Sequence, residues 1–235
     1  MTNSPQLALE RIDDLAVING GGSLDADCVA QLADVVPAID EDVRAVILNP
    51  NPSVWLGFDG VTNVGDLFSG LAEHPQPSIA VLSGPTRGGG LELALAADLR
   101  VASPNSVIGF DLAAGGFPRA GGLQRLTRAV GRSRATQLLL LEGDVDADTA
   151  LDWGLVNAVD ANPLGAAMTI ARSIASRGPI ATRYAKDAIG HGLDMPLAQA
   201  LHYETELTIL LQDTDDRAEG VDAFVNKRTP TFSGT

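Results

Sequence analysis

Apolar residues come in short unbroken runs along this chain, and the runs alternate with stretches spaced for helices. LALERI and LAVIN, residues 7–12 and 15–19, read as a short antiparallel strand pair turning at Asp13 and Asp14. After the break at Gly20, Gly21 and Gly22, the spacing of Val29, Leu32, Val35 and Val36 predicts a helix over residues 26–39, with Ser23 or Asp25 as its cap. VRAVIL (43–48) and SIAVL (78–82) are β-branched runs that predict buried strands. Residues 49–76, rich in Pro, Gly and Asp, predict loops with one short helix near 64–72. A glycine turn, a helix through Ala97 and a strand over 99–102 follow SIAVL.

Beyond Gly121 the pattern turns helical: GGLQRLTRAVG, RATQLLLLEG and DADTALDWG each carry helix spacing, and LVNAV reads as a strand. From Pro163 the rest is helical, with breaks near Gly178-Pro179 and over 190–192. Strands that are apolar throughout need cover on both faces, so the rhythm predicts an α/β architecture. With no low-complexity segment or internal sequence repeat, 235 residues fit one large domain or a core with a helical appendage. The division expected is a core over 1–165 and a helical region over 166–235, striped with apolar residues that need a partner surface.

A hydrophobic fraction of 45% and a charged fraction of 20% fit a folded chain and exclude a disordered one. The formal charge of −14 argues against nucleic acid or an anionic membrane as the main partner. It leaves room for an anionic small molecule held by a local basic patch. Cys28 has no second cysteine to pair with, which is compatible with a cytoplasmic setting. No signal-like segment and no apolar run of 18 residues is visible.

The most informative stretch is GPTRGGGLELALAAD, residues 84–98. Glu92 is the only ionisable group between Leu91 and Ala97, and a buried carboxylate without partners is costly. A glycine turn entering a helix offers unpaired N–H groups at a positive dipole end. Local physics leaves several readings open. The turn can cradle a phosphate, although neither P-loop nor GxGxxG spacing is present. It can stabilise an oxyanion beside Glu92 as acid or base. Or it is simply a tight turn with Glu92 in the first turn of the helix.

PSIAVLSGPTRGGGLELALAADLRVA resembles the signature of the enoyl-CoA hydratase/isomerase, or crotonase, superfamily. The resemblance continues through FPRAGGLQRLTRAVGRSRATQLLLLEGDVDADTALDWGLVNAV and returns in DRAEGVDAFVNKRTPTF. It implies a spiral of repeated β-β-α units with a C-terminal helical region that builds a homotrimer or a dimer of trimers. It implies an acyl-CoA substrate, no metal, and no cofactor beyond the coenzyme A that enters with the substrate. The backbone N–H groups of Gly89 and Phe58 match the family's oxyanion-hole donors, Phe58 through GFD at 57–59. Gly57, Gly88, Arg119, Lys227 and Arg228 match positions near the substrate or its coenzyme A. Glu92 matches the first catalytic glutamate, and Asp111, seven residues before Pro118, falls where the second is expected.

The activity implied is hydration of a 2-enoyl-CoA; the alternatives are an enoyl-CoA isomerase or an acyl-CoA-binding accessory protein without turnover. Three departures bear on that choice. Phe110-Asp111 replaces the family's Pro-Glu with one residue lost upstream, Arg119 replaces a small glycine, and the segment 59–77 is short. The histidines 74, 191 and 202 have no metal spacing, and Ser83 lies in no nucleophile elbow. Arg125, Arg128, Arg132 and Arg134 read as a solvated or intersubunit face, and Trp153 as a packing residue.

Overall fold

In the computed structural model the residues described are 7–20, 26–50, 64–110, 117–141 and 143–235. Their strands are β1 (Ala8–Ile12), β2 (Leu15–Gly20), β3 (Ala45–Pro50), β4 (Ser78–Leu82), β5 (Thr86–Arg87), β6 (Leu99–Ala102), β7 (Val107–Gly109), β8 (Val145–Asp146) and β9 (Ala158–Val159). Their helices are α1 (Ala26–Val35), α2 (Val64–Ala72), α3 (Gly89–Ala96), α4 (Gly122–Leu140), α5 (Ala147–Asp152), α6 (Pro163–Ala175), α7 (Pro179–Gly192), α8 (Leu197–Leu211) and α9 (Asp215–Val225). The main sheet has the order β1-β2-β3-β4-β6-β9, antiparallel only at the β1–β2 edge. Asp13, at φ 53°, makes the turn of that edge hairpin.

Parallel register aligns Val17, Ile47, Ile79 and Leu99 across the sheet. Alternate residues of the same strands serve opposite faces. Leu15, Val17, Ala45, Ile47, Ile79, Val81 and Val101 pack against α6 through Ala167 and Ala171. Ala16, Ile18, Val46, Leu48, Ala80 and Leu82 join the larger core beneath α1 to α5. Burying one such aliphatic side chain is worth about 1.5–3 kcal/mol. Both faces are covered, which is why the strands read as continuous apolar runs instead of alternating ones. Because α6 seals one face of the sheet, the expected division at 165/166 falls inside a helix of the core.

A second sheet, β5-β7-β8, lies beside the glycine turn. Its two- and three-residue strands are too short to show a period, and sequence reading passes over them. The predicted helix over 26–39 ends at Val35 and continues as a 3₁₀ turn over Val36–Ala38. Its expected cap, Ser23 or Asp25, lies outside the described residues. α4 contains both expected helices, separated at Gly131, whose φ of 79° and ψ of 161° break the helical path. Beyond α6, the helices α7, α8 and α9 leave large apolar side chains in solvent, among them Ile189, Leu193, Leu197, Leu201, Ile209 and Phe224.

Candidate active site

Between β4 and β6 the chain makes the glycine turn and the eight-residue helix α3, all of whose residues are buried. Gly88 caps it at φ 53°, ψ −123°, a conformation that side chains with a Cβ rarely adopt. Its N–H donates to the Gly109 carbonyl at 3.2 Å, and its carbonyl accepts from the Glu92 N–H at 3.0 Å. Gly89 opens the helix, so its N–H has no acceptor within the helix and is available to a ligand oxygen. At the other end, Arg100 is buried and donates to the carbonyls of Ala97 at 2.8 Å and Leu155 at 2.6 Å. Burial pushes its pKa down to about 10, and the carbonyls at the C-terminal end of α3 are its compensation. On the outside of the turn, Arg87 forms an ion pair with Asp144, tying β5 to the approach to β8.

Glu92 is 1% exposed, and the chain answers its burial with peptide groups. Oε2 accepts from Ala120 N–H at 2.6 Å and Gly122 N–H at 2.9 Å, while Oε1 accepts from Arg119 N–H at 3.1 Å. All three donors belong to the loop entering α4, at the positive end of that helix. Gly122 has to be small: a Cβ there would lie 2.5 Å from Glu92 Cγ and 2.9 Å from Oε2. A carboxylate has about four acceptor positions. Three are filled among the described residues, which leaves capacity on Oε1 for a water or a substrate proton.

Sequence reading identified Glu92 but missed what holds it. Arg125, expected on a solvated or intersubunit face, is half-buried and turned back towards this loop. Its Nη1 donates to the Ala120 carbonyl at 2.6 Å and its Nη2 to the Phe68 carbonyl at 3.4 Å. Burial lowers its pKa, with Glu92 and Glu73 opposing that effect. The available signal was spacing, since Arg125 stands one helical turn after Gly121. The other helix arginines match the surface expectation better: Arg128 pairs with Asp194, and Arg134 lies 5.6 Å over the Trp153 ring.

Gly88, Gly89, Glu92 and the Arg119 peptide therefore meet in one place. Gly57, Phe58 and Asp111 lie outside the described residues. Lys227 and Arg228 follow α9 and are exposed. Arg228 is engaged within its own chain, 2.6 Å from Glu219 Oε1, Glu219 Oε2 and Asp222 Oδ2. The Arg228 guanidinium is thus already paired with two carboxylates of its own chain. Among the described residues no cluster of His, Cys, Asp and Glu suits a metal, and no helix is long and apolar enough to cross a membrane.

A family model described as enoyl-CoA hydratase/isomerase matches residues 59–235. The chain is 39% identical over 179 residues to a probable mitochondrial enoyl-CoA hydratase 2 of Arabidopsis thaliana, an alignment covering 74% of this chain but only 59% of that protein. It is 34% identical over 205 residues to the 2,3-dehydroadipyl-CoA hydratase of Escherichia coli (strain K12), covering 86% of this chain and 75% of that one. The crystal structure of an enoyl-CoA hydratase from Bacillus anthracis superposes with a TM-score of 0.91 at 30% identity, covering 98% of this chain and 100% of the other. The family match over most of the chain and the shared overall fold lead to one conclusion: the chain belongs to the enoyl-CoA hydratase/isomerase family.

Proposed function

We propose that the protein is an enoyl-CoA hydratase-like enzyme that adds water across the 2,3-double bond of a 2-enoyl-CoA. The observation that carries this is the buried Glu92 carboxylate, oriented by three peptide N–H groups beside the opening residue of α3. In this reading the Gly89 N–H, with the Phe58 N–H as second donor, receives the thioester oxygen as negative charge develops there. Preorganised donors of this kind are worth about 2.7–4 kcal/mol each to such a transition state. Glu92 then positions water on its Oε1 side and transfers the proton, with Asp111 proposed as the second carboxylate. The coenzyme A arrives with the substrate, and no resident cofactor is required.

The alternative is the isomerase sibling, since a single well-placed carboxylate suffices to move a proton between two carbons. The test is to mix the purified protein with crotonyl-CoA and longer 2-enoyl-CoAs and follow the conjugated enoyl thioester absorbance. Its loss supports hydration. Gain of that absorbance from a 3-enoyl-CoA, with no loss from crotonyl-CoA, supports isomerisation. Binding without either change would replace both readings with an accessory role. We also propose a trimer or a dimer of trimers, supported by the exposed apolar side chains of α7 to α9.

A further inference from the structure

We infer that Arg125 is a positioning residue for Glu92, fixing the loop of residues 119–122 from the side opposite the carboxylate. The inference rests on the reading of Glu92 as the acid/base group. The geometry is a clamp with the loop between its jaws. On one side, Glu92 accepts from the N–H groups of Arg119, Ala120 and Gly122. On the other, Arg125 Nη1 donates to the Ala120 carbonyl at 2.6 Å. That carbonyl belongs to the peptide between Ala120 and Gly121, and the peptides before and after it supply both N–H groups on Oε2. Holding it therefore sets the orientation of its two neighbours.

Gly121 makes the arrangement possible. Its φ of 87° lets the loop turn, and a Cβ at this position would lie 2.6 Å from Nη1, so the guanidinium lies directly over the glycine. The second arm of Arg125 reaches the Phe68 carbonyl in α2, so the loop is referenced to a neighbouring helix as well as to α4. A planar guanidinium joins two carbonyls in a fixed geometry that a lysine ammonium reproduces only in part. Arg125 also brings a positive charge near the buried Glu92 without an ion-pair contact among the described groups, and Glu73 is the other carboxylate whose field it feels.

Loss of the clamp is expected to loosen the loop and misplace Glu92 while leaving the rest of the pocket unchanged. A displacement of about 1 Å at a reacting group costs about 10²-fold in rate. R125Q is thus expected to lower kcat on crotonyl-CoA by about 10- to 100-fold with KM within about threefold. R125K is expected to recover part of the loss. R128Q, on the exposed face of the same helix, should match wild type. A second readout does not depend on turnover: amide hydrogen exchange of residues 119–122 should quicken by about tenfold or more in R125Q and less in R125K. If R125Q does not fold, R125K and R128Q carry both comparisons. Wild-type exchange over 119–122 in a folded Arg125 variant would overturn the inference. An inactive wild-type protein would instead remove the hydratase reading and leave the exchange comparison to decide the clamp.

Discussion

Glu92 Oε2 and the peptide N–H of Ala120 lie 2.6 Å apart although 28 residues separate them in sequence. That contact joins the N-terminal turn of α3 to the loop entering α4, and with the Arg119 and Gly122 N–H groups it turns a costly buried carboxylate into a fixed one. The same contacts define what substitutions at the site should do.

Glu92→Gln tests both roles of the carboxylate. The amide oxygen can take the Oε2 position, which accepts two N–H groups. The amide NH₂ then faces the Arg119 N–H, a donor set against a donor. The variant should lose about 1–3 kcal/mol of stability for that unsatisfied group. It should also lose about 10²–10⁴ in turnover as a missing acid or base. Thermal unfolding and crotonyl-CoA kinetics on the same preparation check the two effects, and a wild-type rate would return Glu92 to a purely structural role.

Gly122→Ala leaves every ionisable group in place and changes only space. The new methyl would stand 2.5 Å from Glu92 Cγ, so one of the two must move. Overpacking of this kind costs about 1–3 kcal/mol, and the shift of Glu92 should lower kcat by about 10²-fold with little effect on KM. Steady-state kinetics decide the point: an unchanged kcat would show that catalysis does not depend on this contact.

The sequence made some of this site legible and hid the rest for definite reasons. Val17, Ile47 and Ile79 announce a covered sheet because burial on both faces removes polar positions from a strand. Glu92 stands out because a charge in an apolar run is rare. Its three partners are invisible because they are peptide N–H groups, which every residue but proline has. Arg125 misled because an amphipathic helix displays its arginines at the same spacing whether they face water or fold back over a loop. The β5-β7-β8 sheet was hidden by strand length, since two residues have no period.

Assembly gives a separate test. Leu193, Leu197 and Leu201 lie around the α7–α8 junction and are 68%, 75% and 55% exposed. Large apolar side chains exposed in this way are expected to be covered by another subunit. Light scattering at micromolar concentration should give a trimer or a hexamer, and Leu197→Glu should shift it towards monomer. A stable wild-type monomer would leave these side chains unexplained by assembly.

His74 makes stability depend on pH in a direction that can be worked out. Burial pushes its pKa below the ordinary 6.5, Lys186 and Arg183 add to the effect, and the Val36 carbonyl and Asp98 oppose it. Lys186 bridges the same region, 3.1 Å from the Gln76 carbonyl and 2.8 Å from Asp98. As pH falls through 6.5, the unfolded chain takes a proton on His74 before the folded chain does. The unfolded state then binds more protons, so stability drops as pH is lowered below that value and is fully present above it. Gln at position 74 carries no charge in either state. Urea midpoints of wild type and His74→Gln, at one protein concentration between about pH 7.5 and pH 5.5, should therefore differ in slope, with wild type losing more stability towards acid. His191 and His202 remain in both proteins and cancel in the comparison. Parallel midpoints across that range would show that His74 titrates alike in the folded and unfolded chains.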